Sequence, residues 1–306
     1  MQKAKGKGLF RRIADERAFI FMMLPAVAYF LLFSYIPMAG VLLAFQDYFP
    51  GMPLNKPDWV GFKWFIEFFS SFYFWRLMRN TVYISFFSIL FGFPVPILFA
   101  LALNEIRQKY FKRAAQTISY LPYFISVVVV VGMVSSFLSV NSGIVNKFVE
   151  MLGGRPHDFL ADPKWFRTVY ISSGIWASFG FSAIIYISAI TGISPELYEA
   201  ATIDGANRLK CLWHITLPGI MQTVVITLIL SLGGLLGVGY EKIILMYSPG
   251  TYETADVISS YVYRRGLVSQ NYSFGVAVGL FNSVINFLFL MVFNKLSRKA
   301  TEISLW

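Results

Sequence analysis

Six long apolar stretches, separated by short charged or polar segments, constrain this sequence more than any other feature. They lie at approximately 18–45, 81–103, 117–140, 169–190, 220–246 and 274–293. A helix needs roughly 20 mostly apolar residues to cross a bilayer, and each stretch approaches or exceeds that length. Only 14% of the 306 residues are charged, whereas soluble domains carry roughly 25%. The sequence therefore predicts an all-α integral membrane protein with six transmembrane helices.

The distribution of basic residues predicts how the chain lies in the membrane. The net charge is +10. More of the 26 Lys and Arg residues fall on the side of the membrane that holds the N-terminus than on the other side. Because cytoplasmic loops carry an excess of Lys and Arg, both termini are predicted to be cytoplasmic. This divides the chain into a basic N-terminus at 1–17, a six-span domain at 18–298 and a tail at 299–306. Topology and anionic membrane lipids account for the charge, so nucleic acid is not an expected partner.

Few residues in the sequence are suited to catalysis or metal binding. The lone Cys211 excludes an intramolecular disulfide, and two histidines with one cysteine fall short of the usual zinc ligand set. Neither a phosphate-binding GxxxxGK[ST] loop nor an HExxH pair is present. We therefore expect no catalytic residue, no metal site and no cofactor in this chain, and no ATP hydrolysis by it.

A hydrophilic segment at 194–218 stands between the fourth and fifth apolar stretches. It opens with Ser-Pro-Glu at 194–196, which predicts a helix start with a serine cap, a proline in the first turn and an acidic residue near the positive end of the dipole. The helix is expected to end near Ile203, because Asp204 and Gly205 favour a turn. Its predicted small-residue face, suited to close contact with a partner, comprises Tyr198, Ala201, Thr202 and Gly205.

This segment also carries a recognisable motif. Glu-Ala-Ala at 199–201, followed by Gly205 and by Ile-x-Leu-Pro at 215–218, resembles the EAA signature of permeases in binding-protein-dependent ABC importers. The longer pattern at 199–206 is similar to the carbohydrate-importing branch. Two further patterns resemble the LplB-type polysaccharide and oligosaccharide permeases, and they lie at 213–218 and 261–266.

The resemblance implies the type I ABC importer permease fold, in the bacterial plasma membrane. It also implies a homologous second permease, two ATP-binding subunits that hold ATP and Mg, an extracellular or periplasmic solute-binding protein, and an oligosaccharide substrate. The 194–218 loop would couple the permease to the ATP-binding subunits. The residues that it places at this contact are Glu199, Ala200, Ala201, Asp204 and Gly205.

Several polar or aromatic residues inside the predicted spans are candidates for the sugar pathway. Tyrosine can stack on a sugar ring while carboxylate and amide groups bind hydroxyls, which favours Tyr240 and Glu241 in the fifth stretch. The alternative for Glu241 is an ion pair with Lys242 or with an arginine. The remaining candidates, for which interhelical hydrogen bonding or ordinary packing is the alternative, are Asn282, Asn286, Tyr186 and Trp176.

Two other functions remain open from the sequence. An ABC importer permease for another polar solute would share the same motif. A secondary transporter driven by ions would need ionisable groups at the middle of the membrane, and only Glu241 and Lys242 come close to such a position. Many secondary transporters also contain two related halves, and no internal repeat is evident in this sequence.

Overall fold

The computed structural model describes residues 17–53 and 57–305, so the predicted basic N-terminus lies outside the described residues except for Arg17. Two short strands, β1 (Gln46–Asp47) and β2 (Asp58–Trp59), pair antiparallel. The helices are α1 (Arg17–Phe30), α2 (Lys63–Phe69), α3 (Phe74–Gly92), α4 (Pro94–Glu105), α5 (Lys109–Tyr120), α6 (Val127–Leu138), α7 (Ile144–Met151), α8 (Pro163–Thr191), α9 (Pro195–Ile203), α10 (Arg208–Cys211), α11 (Leu217–Gly233), α12 (Tyr240–Met246), α13 (Tyr252–Ala255), α14 (Ile258–Val262) and α15 (Tyr272–Thr301).

Turns of 3₁₀ or π geometry extend several of these helices. They follow α1, α5 and α14, join α10 to α11, and precede α13. Their bounds are Leu31–Tyr35 and Ala39–Phe45 on either side of the short helix Ile36–Met38, then Leu121–Phe124, Tyr263–Val268, Leu212–Thr216 and Pro249–Thr251.

The six predicted spans correspond to five continuous helices and one broken pair. In the described part of the chain, the helices long and apolar enough to cross a membrane are Phe21–Phe45, Phe74–Glu105, Pro163–Thr191, Arg208–Gly233 and Tyr272–Thr301. The sixth is the pair Lys109–Phe124 and Val127–Leu138, bent by 104°. The predicted fold class, an all-α membrane protein, is confirmed.

The third predicted span, at 117–140, is the one that is bent. Ile125 and Ser126 have extended backbones at the bend, and the Ser126 side chain accepts a hydrogen bond from the Val129 amide to begin α6. A serine in an N-cap position satisfies a free helix amide. The apolar composition on both sides of residues 125–126 conceals this break in the sequence.

The fifth predicted span, at 220–246, is wrong at its C-terminal end. α11 ends at Gly233, and the chain then leaves the helix before α12 begins at Tyr240. A residue distant in sequence stabilises the break, because the Asn286 side chain in α15 accepts a hydrogen bond from the Leu236 amide at 2.9 Å. Tyr240 and Glu241 therefore belong to a separate short helix and not to the fifth span.

α8 is the central helix of the bundle and packs against α3, α4, α5 and α11. Its contact with α5 is close enough that a Cβ atom on Gly180 would overlap the backbone carbonyl of Ser119. By contrast, the most apolar window of Phe21–Phe45 has no buried residue. Apolar surface of this kind is expected where a helix meets lipid or another membrane subunit.

Candidate functional site

A cavity of about 860 Å³ opens among α3, α4, α8, α11 and α12. This volume lies within the range of about 300–1,000 Å³ found for small-molecule sites. The lining combines hydroxyl groups, aromatic rings and one ammonium group, supplied by Ser88, Ser178, Ser182, Thr227, Ser231, Tyr123, Tyr170, Phe181, Tyr186 and Lys242.

The aromatic side chains of the cavity are fixed by their neighbours. Tyr123 stacks on Phe181 with ring centroids 3.9 Å apart and an interplanar angle of 3°. The Tyr186 hydroxyl lies 3.0 Å from the Thr227 hydroxyl, which joins α8 to α11. Flat ring surfaces beside hydroxyl groups are suited to a ligand with both apolar faces and polar edges.

Lys242 places its ammonium group at this cavity. Its Nζ atom donates a hydrogen bond to the Tyr170 carbonyl at 2.7 Å and lies 4.5 Å from the centre of the Tyr170 ring. Glu241 is exposed, and none of the ion pairs formed by the described residues joins Glu241 to Lys242. Adjacent helical residues point about 100° apart, which explains why the two side chains separate.

The predicted sugar-pathway residues are distributed unevenly around this cavity. Tyr186 lines it, whereas the other five candidates are not among its lining residues. Tyr240 stacks on Tyr263 with centroids 5.2 Å apart, and Trp176 is partly exposed. The Asn286 side chain accepts the hydrogen bond from the Leu236 amide in the break after α11, and the Asn282 side-chain oxygen is buried without a hydrogen-bond partner among the described residues.

The 194–218 segment lies at the C-terminal end of α8. Its first helix, α9, ends at Ile203 as predicted, but the Ser194 side chain makes no capping hydrogen bond. Ile203 is 87% exposed and Leu197 is 53% exposed. A shallow depression of about 440 Å³ on this helix is lined by Tyr198, Glu199, Thr202 and Ile203.

Four of the five predicted coupling residues present accessible surface. Glu199, Ala200, Asp204 and Gly205 are exposed, and Ala201 is half-buried. Exposed apolar and small residues on a short helix form a surface that another protein can cover.

The predicted Asp-Gly turn is present. Gly205 has a φ of +77°, and the Ala206 amide bonds to the Ala201 carbonyl at 2.8 Å. Glycine adopts this left-handed conformation without the steric cost that a Cβ atom brings. The turn therefore ends α9 and redirects the chain toward α10.

α9 is also joined to the span that follows it. The Tyr198 hydroxyl lies 2.9 Å from the hydroxyl of Thr216, which is buried at the start of α11. On the neighbouring turn, a Cβ atom on Gly219 would lie 2.7 Å from the Cδ1 atom of Ile193, just before α9. A displacement of α9 can therefore be transmitted to α11.

A buried polar cluster at the opposite end of α8 was not predicted. Asp256 is fully buried and accepts hydrogen bonds from both terminal nitrogens of Arg264, at 2.9 and 2.7 Å, and from the Ser260 hydroxyl at 2.7 Å. Burial lowers the pKa of Arg264, but hydrogen bonds to Asp256 and Tyr247 outweigh it and leave that pKa raised. The guanidinium group therefore stays charged.

Comparisons with known proteins agree with this architecture. Residues 92–302 match the family described as the binding-protein-dependent transport system inner membrane component. The polygalacturonan/rhamnogalacturonan transport system permease protein YteP of Bacillus subtilis (strain 168) is 41% identical, over 98% of this chain and 94% of the relative. Protein LplB of the same organism is 39% identical, over 96% of this chain and 93% of the relative.

A solved structure is similar over nearly the whole chain. It is a bacterial alginate ABC transporter in complex with a periplasmic protein bound to alginate pentasaccharide. One of its chains is 43% identical, with a TM-score of 0.89, and the match covers 98% of this chain and all of that one. The predicted LplB-type permease resemblance and the type I fold are confirmed. The chain belongs to the family of inner membrane components of binding-protein-dependent transport systems.

Proposed function

We propose that this chain is one of two permease subunits in an ATP-driven importer of oligosaccharides or polysaccharide fragments. The observation that carries this proposal is the match to the alginate transporter chain, at 43% identity over 98% of this sequence. The relative named for polygalacturonan and rhamnogalacturonan transport, at 41% identity, supports the same substrate class.

The cavity among α3, α4, α8, α11 and α12 supports a role in the sugar pathway. Serine, threonine and tyrosine hydroxyls can exchange hydrogen bonds with sugar hydroxyls, and aromatic rings can pack against the apolar face of a sugar. The stacked pair Tyr123 and Phe181 offers such a ring surface, and Tyr186 with Thr227 offers hydroxyls. A second permease would supply the facing half of the pathway.

The 194–218 segment is the proposed coupling site. Two cytoplasmic subunits would bind ATP and Mg, and their closure would displace α9 through the exposed surface around Glu199 and Ile203. The hydrogen bond between the Tyr198 and Thr216 hydroxyls would carry this displacement into α11. This arrangement requires both termini and α9 on the cytoplasmic side, and the binding protein on the other side.

Co-purification and reconstitution test the proposal together. The tagged chain should co-purify with a second permease and an ATP-binding subunit, and the complex in proteoliposomes should import saccharide only with ATP and the binding protein. Glu199→Lys should abolish ATP-dependent import while leaving membrane insertion unchanged, because it reverses a charge on the exposed face of α9. Lys147→Gln, in the exposed part of α7, is the control.

Two results would contradict the proposal. Saccharide transport by this chain alone would favour a secondary transporter. Normal import by the Glu199→Lys complex would show that α9 does not form the coupling contact.

A further inference from the structure

Among the described residues that line the cavity, Lys242 is the one with a formal charge. The other described lining residues are aliphatic, aromatic, glycine, proline or hydroxyl-bearing. A cation beside a cavity without acidic groups creates a positive potential there. The cavity therefore favours an anionic ligand over a neutral one of equal size.

The hydrogen bonds of Lys242 leave capacity for such a ligand. An ammonium group has three N–H donors, and the described contacts are one bond to the Tyr170 carbonyl and the approach to the Tyr170 ring. Lys242 takes part in none of the ion pairs among the described residues. Since a cation that loses water without gaining an anion is unfavourable, a carboxylate from outside the chain would stabilise this charge.

The backbone of α8 makes room for the ammonium group. A Cβ atom on Gly174 would lie 3.2 Å from the Lys242 Nζ atom, so even an alanine side chain would press against it. The break that ends α11 separates it from α12, the short helix that carries Lys242 to the cavity lining. Residues of α8 and α12 thus define one position for the charge.

We infer that Lys242 is a specificity-determining residue that binds the carboxylate of an acidic saccharide, one that contains uronic acid units. This inference rests on the proposed function as a saccharide permease. A charge-assisted N–H···O⁻ bond would hold the carboxylate. Hydroxyl and aromatic groups around it would hold the rest of the sugar.

Uptake of two matched sugars tests this role. The complete transporter in proteoliposomes would be supplied with labelled trigalacturonate or with its carboxyl-reduced counterpart, each at a concentration that saturates the binding protein. The readout is the ratio of acidic to neutral uptake. Lys242→Gln should lower this ratio about tenfold, the equivalent of one charged hydrogen bond.

Further variants separate charge from structure. Lys242→Arg should keep most of the ratio, because it keeps the positive charge. Gly174→Ala should lower the ratio less than Lys242→Gln, because it displaces the ammonium group without removing it. Lys147→Gln removes a lysine from the exposed face of α7 and should leave the ratio unchanged.

Five outcomes would overturn the inference. An unchanged ratio in Lys242→Gln excludes carboxylate recognition, and an equal loss of both sugars assigns Lys242 a structural role through Tyr170. Loss of the second permease from the purified Lys242→Gln complex, but not from Lys242→Arg, assigns the carboxylate to that subunit. Neutral uptake alone by the wild type rejects the acidic substrate while the import function stands, whereas no saccharide uptake rejects both.

Discussion

At the N-terminal end of α8, side chains distant in sequence meet around buried Asp256, whereas at its C-terminal end α9 is exposed and held mainly by neighbouring residues. Asp256 bonds Arg264 in two places and lies 3.5 Å from Arg76, which is 180 residues away. In the described part of the chain, one side-chain hydrogen bond ties α9 to the bundle, between the hydroxyls of Tyr198 and Thr216, which are 18 residues apart.

The same contrast extends to the neighbours of each end. Asn80 in α3 donates hydrogen bonds to the carbonyls of Glu253 and Asp256, both at 2.9 Å, and Arg167 in α8 donates to the Asn80 side chain at 2.7 Å. Local stability varies across a structure, and elements that move are drawn from its less stable parts. We therefore expect the Asp256 end of α8 to stay in place and α9 to be the element that moves.

Removal of the Asp256 carboxylate should have the largest effect on stability. Asp256→Asn leaves the Arg264 guanidinium without its anion, and breaking a buried ion pair from one side typically costs about 3–5 kcal/mol. We expect a large drop in the Tm of the purified protein in detergent. Asp58→Asn, at an exposed position in β2, is the matched control and should leave the Tm unchanged.

A drop in Tm of similar size in both variants would show that carboxylate loss alone, and not burial, is responsible. In that case the two ends of α8 would not differ in the way described.

The centre of α8, between these two ends, is the site of the second prediction. Gly180→Ala places a Cβ atom against the Ser119 backbone carbonyl in α5, which cannot rotate away as a side chain could. Overpacking typically costs about 1–3 kcal/mol. We expect a lower Tm and a lower yield of folded protein after detergent extraction.

Gly132→Ala in α6 is the matched control, because no atom lies within 4 Å of its added Cβ atom. Alanine is the better helix former by up to about 1 kcal/mol, so this variant should be neutral or stabilised. Equal destabilisation of both variants would contradict close packing between α5 and α8 as the cause.

The six apolar stretches could be predicted from sequence because bilayer thickness sets the length of a spanning helix. The break within the third stretch could not, since composition stays apolar on both sides of it. The fifth stretch contains glycines at 233, 234, 237 and 239, but glycine also serves close helix packing in membranes, so these residues alone do not predict a break. What fixes the break after α11 is a bond from the Leu236 amide to Asn286, 50 residues away. Local propensity does not contain that information.

In the candidate sites too, local sequence determines some features and contacts distant in sequence determine others. The turn at Gly205 and the end of α9 at Ile203 follow from residues next to each other, and sequence predicted both. A hydrogen bond to the carbonyl of Tyr170, 72 residues away, holds the Lys242 side chain at the cavity. Its position just after a glycine-rich break in an apolar stretch is the one signal in the sequence. From sequence, Lys242 is an ion-pair partner for Glu241 or, with Glu241, the nearest approach to the ionisable group of an ion-driven transporter, and neither interpretation places it at the cavity.

The turn after α9 provides a third, smaller prediction. Gly205 has a φ of +77° and no atom within 4 Å of an added Cβ atom, so Gly205→Ala brings backbone strain without a clash. Such strain amounts to roughly 1–2 kcal/mol. We expect a modest drop in Tm together with a loss of ATP-dependent uptake of about fivefold, the equivalent of about 1 kcal/mol.

Gly153→Ala is closely matched to this variant. Gly153 has a φ of +81° and equally open surroundings, but it follows α7 and not α9. The two variants should lose similar stability, and only Gly205→Ala should lose coupled uptake. Equal uptake by both would show that the shape of the 204–206 turn does not matter for coupling.

The bond between α9 and α11 should have the smallest effect on stability and a specific effect on coupling. Tyr198→Phe removes one hydroxyl, and a net hydrogen bond contributes about 0.5–1.5 kcal/mol. Thr216 keeps its weaker bond to the Cys211 carbonyl at 3.5 Å, so the buried hydroxyl is not left unpaired. We expect little change in Tm but more ATP hydrolysed per saccharide imported, because a displacement of α9 reaches α11 less completely.

Thr216→Val and the double variant complete a mutant cycle, which isolates the energy of one pair of side chains. If the Tyr198–Thr216 bond transmits the movement, either single variant raises the ATP-to-saccharide ratio and the double variant adds nothing further. Additive increases would mean that the two residues act separately. The movement of α9 would then have to reach α11 through the backbone of α10, and not through the bond between Tyr198 and Thr216.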